Sequence, residues 1–218
     1  MFRFKLIASM SLVVAALGIA LTAGPAAAAS NPTTVCNISA NPCSSANQYA
    51  ANTSFTGALA GGTSAELNNS LDDVTCNNST VALQNTAQTG TPLPGEGTGL
   101  TFTNCNDALN NSCTVTTSGF PYLGNINADG LGDGNGTLTV NNVTVHVVCS
   151  FYVNCTFTAP SAGITGNVTG GNPATVTFNN APVNHSGGFL CPSTATFTAA
   201  YDTNGTNAAV WPETPASS

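Results

Sequence analysis

Between Gly136 and Val153, apolar and polar side chains alternate almost without a break. Leu138 and Val140 flank Thr139. Past Asn141-Asn142, every second position is apolar: Val143, Val145, Val147, Cys149, Phe151 and Val153. A period of two sends successive side chains to opposite faces of a pleated strand, with the apolar face buried. Asparagine tolerates positive φ, so Asn141-Asn142 suits a two-residue hairpin turn and the stretch is expected to be two paired strands. Shorter strands are expected at 53–59, 74–84, 100–104, 113–117, 155–159, 164–169, 174–179 and 194–201, where β-branched polar residues alternate with apolar ones, as in Thr101-Phe102-Thr103 and Thr196-Phe197-Thr198. Turn residues separate them at Gly61-Gly62, 95–99, 130–136, 170–173 and Ser186-Gly187-Gly188. No segment sustains apolar residues at three-and-four spacing, so helices are not expected. Many short strands punctuated in this way define an all-β fold, a disulfide-stabilised antiparallel β-sandwich.

The only basic side chains are Arg3 and Lys5. They precede an apolar run from Leu6 to Leu21 and then Ala27-Ala28-Ala29 before Ser30, the layout of a secretory signal peptide over 1–29. The run is shorter than the roughly 20 residues that span a bilayer, so no stable membrane anchor is expected. A single sandwich domain is expected over 30–207, followed by a flexible C-terminal tail over 208–218 with two prolines. After residue 29 there is no lysine or arginine, and all nine carboxylates remain. Such a chain has no lysine or arginine for a salt bridge and no side-chain cation of that kind to grip a phosphate. Its acidity disfavours nucleic acid and anionic membranes as partners. The expected setting is secreted and extracellular.

All eight cysteines follow the leader: Cys36, Cys43, Cys76, Cys105, Cys113, Cys149, Cys155 and Cys191. Zinc sites place cysteines in close pairs or beside histidines, and no Cys-x-x-Cys occurs here. In an oxidising compartment an even number of cysteines implies four disulfides. Eight cysteines allow 105 connectivities. The simplest joins neighbours in sequence order: Cys36 to Cys43, Cys76 to Cys105, Cys113 to Cys149 and Cys155 to Cys191.

Several segments resemble a group of secreted all-β proteins, immunoglobulin-like or sandwich, from Gram-positive actinobacteria, to which no activity is assigned. The residues that carry the resemblance are Val74-Thr75-Cys76, the run from Leu100 to Cys105, Cys155 with the alternation after it, and Gly187-Gly188-Phe189-Leu190-Cys191-Pro192 leading to 196–201. The resemblance implies a fold and a location and brings no catalytic residue.

Candidate chemistry is sparse. Asn125, Asn127 and Asp129, with Gly130 sixth and Asp133 ninth, follow the start of a calcium loop, in which oxygens recur at alternate positions around a sharp turn. Position twelve is Gly136 where a bidentate glutamate belongs, so calcium is a weak candidate, no metal is assigned, and an ordinary Asn/Asp/Gly loop is the competing reading. Phe120 and Tyr122, beside that segment, are a candidate binding loop. His146 and His185 are the only imidazoles, and no strained Gly-x-Ser-x-Gly turn accompanies them. Asp72 and Asp73 are adjacent, so on a strand they diverge. No catalytic residue is assigned. The expectation is a non-enzymatic extracellular interaction or structural module with a protein, cell-wall or small-molecule partner. A small-molecule carrier is the first alternative, and a secreted hydrolase using Asp129 or Asp133 with His146 the second.

Overall fold

Eight antiparallel courses of chain, each lying beside the next in sequence, wrap around one apolar interior, and the eighth pairs back onto the first. The computed structural model describes residues 32–37, 43–69, 73–149, 153–189, 191–203 and 209–212.

The first course rises through β2 (Ser54–Leu59) and β3 (Ala65–Asn69). The second descends as β4 (Val74–Asn85), and the third rises as β6 (Leu93–Asp107) after the two-residue β5 (Thr89–Gly90). The fourth descends through β7 (Ser112–Ser118) and β8 (Tyr122–Ala128), and the fifth rises through β9 (Gly136–Val140) and β10 (Thr144–Cys149). The sixth descends through β11 (Val153–Thr158) and β12 (Ile164–Thr169). The seventh, β13 (Thr175–Phe189), rises, and the eighth, β14 (Thr194–Thr203), descends. β14 then pairs with both halves of the first course, Tyr201 opposite Leu59 and Phe197 opposite Leu67. Among the described residues this main sheet therefore closes on itself as a barrel, and closure removes its open edges.

Period two decides which residues point inward. On β10 and β11, Val147 lies opposite Cys155 and Val145 opposite Phe157; Val147, Cys155 and Phe157 are buried. On β7, at the other side of β10, Thr114 and Thr116 face outward and are exposed. The sequence alternation is thus a record of the barrel wall.

Three disulfides join adjacent courses at the upper end. Cys76 stands opposite Cys105, Cys105 opposite Cys113, and Cys113 opposite Cys149, so four cysteines lie side by side across four courses. The bonds are Cys76–Cys105, Cys113–Cys149 and Cys155–Cys191. The lower end is covered by a three-stranded sheet in which β1 (Thr33–Cys36) runs between β5 and β15 (Ala209–Pro212). Thr34 Oγ1 donates to the Gln88 carbonyl at 3.0 Å, and Val35 packs with Leu93 and Ala174 beneath. Cys36–Cys43 closes the short loop that follows. Among the described residues no helix is long and apolar enough to cross a membrane.

Several expectations need correction. Asn141-Asn142 does not close a hairpin: β9 pairs with β8 and β12, and β10 with β7 and β11. The course simply continues upward, with Asn142 at φ 61° easing the step between levels. The strand expected to reach Val153 instead ends at Cys149 and turns back, since Cys149 lies opposite Val153. Residues 95–99 and Gly187-Gly188 are not turns but interior parts of β6 and β13. The 208–218 tail includes β15, held by pairing to β1, while 213–218 lie outside the described residues. The connectivity is a meander of sequential neighbours, whereas an immunoglobulin-like fold needs Greek-key crossings between two sheets. The segment 1–29, expected as a leader, lies outside the described residues.

Candidate functional site

The interior is not completely filled. A cavity of about 120 Å³ lies on the barrel axis, bordered by Val81, Val115, Val143, Val147, Phe157 and Phe178 among others. A second, of about 80 Å³, lies below it and touches Val35 of the lower cover. Phe55, Leu83, Leu138, Val140 and Val176 border both, so the two spaces are stacked along one axis. An eight-stranded barrel has an interior that side chains just fill or that holds one small ligand.

Several polar groups at the upper cavity's wall are already engaged. Tyr201 Oη lies 2.8 Å from Ser79 Oγ, which in turn is 2.7 Å from the Thr101 carbonyl. Tyr122 Oη donates to the Thr144 carbonyl at 3.3 Å. Of the wall's carboxylates, Glu66 Oε1 accepts from Ser64 and Asp202 Oδ1 accepts from Thr175. The arrangement can hold an apolar group.

Burial pushes the Tyr201 phenol up to about 12, against a smaller opposing effect of the Ser79 hydrogen bond. An unfolded tyrosine ionises near 10. Below about pH 10 both states keep the proton and the full contribution to stability is present; above it the unfolded chain deprotonates first, so stability is lost as pH climbs toward 12. Ultraviolet titration is expected to show one phenol ionising about two units late, or together with unfolding. Replacement by Tyr201→Phe should remove that step and no other.

The calcium-loop residues divide between a strand and the loop after it, where the Asp129 and Asp133 side chains meet. Asn125 and Asn127 lie within β8, paired to Thr139 and Thr137 of β9. Asp129 and Asp133 occupy the loop beyond, where each accepts a local backbone N–H: Leu131 at 2.8 Å and Asn135 at 3.0 Å. The Asn135 N–H holds the Asp133 carboxyl below its usual range. The first positions of a calcium loop must curl, and here they are extended because inward Tyr122, Gly124 and Ile126 make β8 a barrel strand. Among the described residues no three His, Cys, Asp or Glu side chains converge on a metal position.

The candidate binding loop is divided between surface and core. Phe120 is 39 % exposed, whereas Tyr122 is buried; their rings stack at 4.3 Å. Burial raises the Tyr122 phenol above its ordinary range. Asp73 caps the turn after β3, accepting the Asn69 N–H at 3.0 Å, and Asp72 lies outside the described residues.

The hydrolase groups are not brought together either. His146 lies on the upper fifth course, bonded through Nε2 to Asn154 Oδ1 at 2.8 Å. Asp129 and Asp133 lie in the loop below β9, at least ten residues earlier, which at 3.3 Å per residue is roughly 30 Å away along the wall. Sequence reasoning left the axial cavity unassigned, and it reads His185, in a Pro/Asn/Gly-rich stretch, as a surface or satisfied turn histidine; the residue lies instead within β13, and its buried Nε2 has no hydrogen-bond partner. No family model, curated protein or solved structure matches the chain.

Proposed function

We propose that this chain is a secreted, non-enzymatic binding protein that carries one small apolar molecule inside its barrel. The observation that supports the reading most directly is the axial cavity of about 120 Å³, whose wall offers almost nothing but carbon. A dry apolar cavity of about 150 Å³ binds benzene, so this one suits a single ring or a chain of about six carbons. The four disulfides fit an oxidising extracellular setting. A second reading, a module docking on a protein or cell-wall partner, draws on Phe120 and Leu123, exposed three residues apart on the fourth course.

Thermal unfolding with benzene or n-hexane separates the two readings. A ligand present at 100 times its dissociation constant stabilises by about 2.7 kcal/mol, so the melting temperature is expected to rise by roughly 5–10 °C for a chain of this size. Val147 is 1 % exposed and borders the cavity. The variant Val147→Phe places a ring in the space and is expected to abolish the rise. No rise with either probe, or an equal rise in Val147→Phe, overturns the carrier reading. Capture of cell-wall material, lost on Phe120→Ser with Leu123→Ser, would support docking instead.

A further inference from the structure

His185 lies on the seventh course directly opposite Phe157, which is buried and borders the cavity. Residues directly opposite in a sheet share a face, so His185 belongs to the inward set. Val183, two residues earlier, is buried and also borders the cavity. His185 is therefore the next inward position toward the upper end, about 6–7 Å further along the strand and just beyond the residues that line the cavity. Its ring stands 6.2 Å from that of Phe157. Its Nε2 is buried and makes no hydrogen bond, the sole buried side-chain nitrogen or oxygen of this kind among the described residues.

A buried polar atom without a partner bears the full cost of its desolvation, and a native structure normally meets such an atom with a partner. A neutral imidazole nitrogen either donates or accepts, so Nε2 lacks a partner in both tautomers. A lone buried water needs two to four polar neighbours. A head group tethered to an apolar body needs only one.

We infer that the molecule held in the barrel is a neutral amphiphile, its apolar body in the cavity and its single hydrogen-bonding group, a hydroxyl or carbonyl, on His185 Nε2. This rests on the carrier reading and narrows it. The head group is neutral because the chain has no lysine or arginine beyond Lys5 to compensate a buried carboxylate or phosphate. His185 then sets specificity: a site built to hydrogen-bond a ligand discriminates against the analogue that leaves its polar atom unpaired.

The test uses n-heptane, 1-heptanol, 2-heptanone and heptanoate with the intact oxidised protein. Heptanol or heptanone is expected to shift the imidazole ¹⁵N resonance of His185 while heptane does not, with His146 as the internal reference. The alcohol-to-alkane affinity ratio should fall about tenfold in His185→Phe, and heptanoate should bind more weakly than heptanol. The ¹⁵N measurement on the unmodified protein decides the matter if His185→Phe folds poorly. If heptane and heptanol both bind yet neither moves the His185 resonance, this inference fails while the carrier reading stands. If no probe binds, both fall.

Discussion

Reducing the three barrel disulfides is expected to unfold the protein in buffer where the oxidised form is native. Cys76–Cys105, Cys113–Cys149 and Cys155–Cys191 span 29, 36 and 36 residues. In the chain-entropy account, loops of this size contribute about 3–4 kcal/mol each. The three loops do not overlap in sequence, so their closure terms add to roughly 10 kcal/mol. Whole-domain stabilities lie at about 5–15 kcal/mol. The bonded cysteines are also core: Cys76, Cys105, Cys149 and Cys155 are each no more than 3 % exposed. Reduction is checked by far-ultraviolet dichroism after denaturing reduction, alkylation and return to buffer. A reduced chain that regains the β spectrum and a cooperative melt would show that wall pairing and apolar burial suffice alone. Single-bridge variants, Cys76→Ala with Cys105→Ala for example, should each lose about 2–4 kcal/mol and remain folded.

The second large effect is expected from Phe178→Ala. Phe178 is 6 % exposed, borders the upper cavity and lies 5.7 Å from the Phe197 ring. A Cβ on Gly166 would come within 3.0 Å of the Phe178 ring, so the wall is already drawn in against it. Removing a buried phenylalanine costs about 3–5 kcal/mol, more where the surroundings cannot collapse. The closed ladder leaves the walls little freedom to move inward, so the new space joins the existing cavity. Urea denaturation should show the midpoint fall with the slope unchanged. Benzene in excess should restore part of the loss. A change below about 1 kcal/mol would mean that the ring is not integral to the core.

Local alternation made much of the wall legible in the sequence. Residues 164–169 were expected as a strand and form β12 with those bounds, and the sequence-order pairing of the cysteines is the one the structure has. That pairing was not dictated locally, because Cys105 lies opposite both Cys76 and Cys113. Glycine misled where close approach, not a turn, requires it. A Cβ on Gly97 would lie 3.3 Å from Tyr122 Cβ, and one on Gly95 would lie 3.0 Å from the Gln84 carbonyl oxygen. Those residues keep neighbouring courses close without ending a strand. β8 was hidden by an Asn/Asp pattern that also fits a calcium loop, although Tyr122, Gly124 and Ile126 carry a period of two. The candidate site was not legible at all. The cavity is a space between residues distant in sequence, and the inward aim of His185 follows from its register with Phe157.

The meander has a consequence for how the molecule matures. Cysteines join first to second, third to fourth, and so on, with no bond threading another. Under the proposed export, amino end first into an oxidising space, each cysteine would meet its partner before the next pair arrives, so consecutive oxidation would need no later reshuffling. What must wait is the seam between Tyr201 and Leu59, which joins the last course to the first and is crossed by no sulfur.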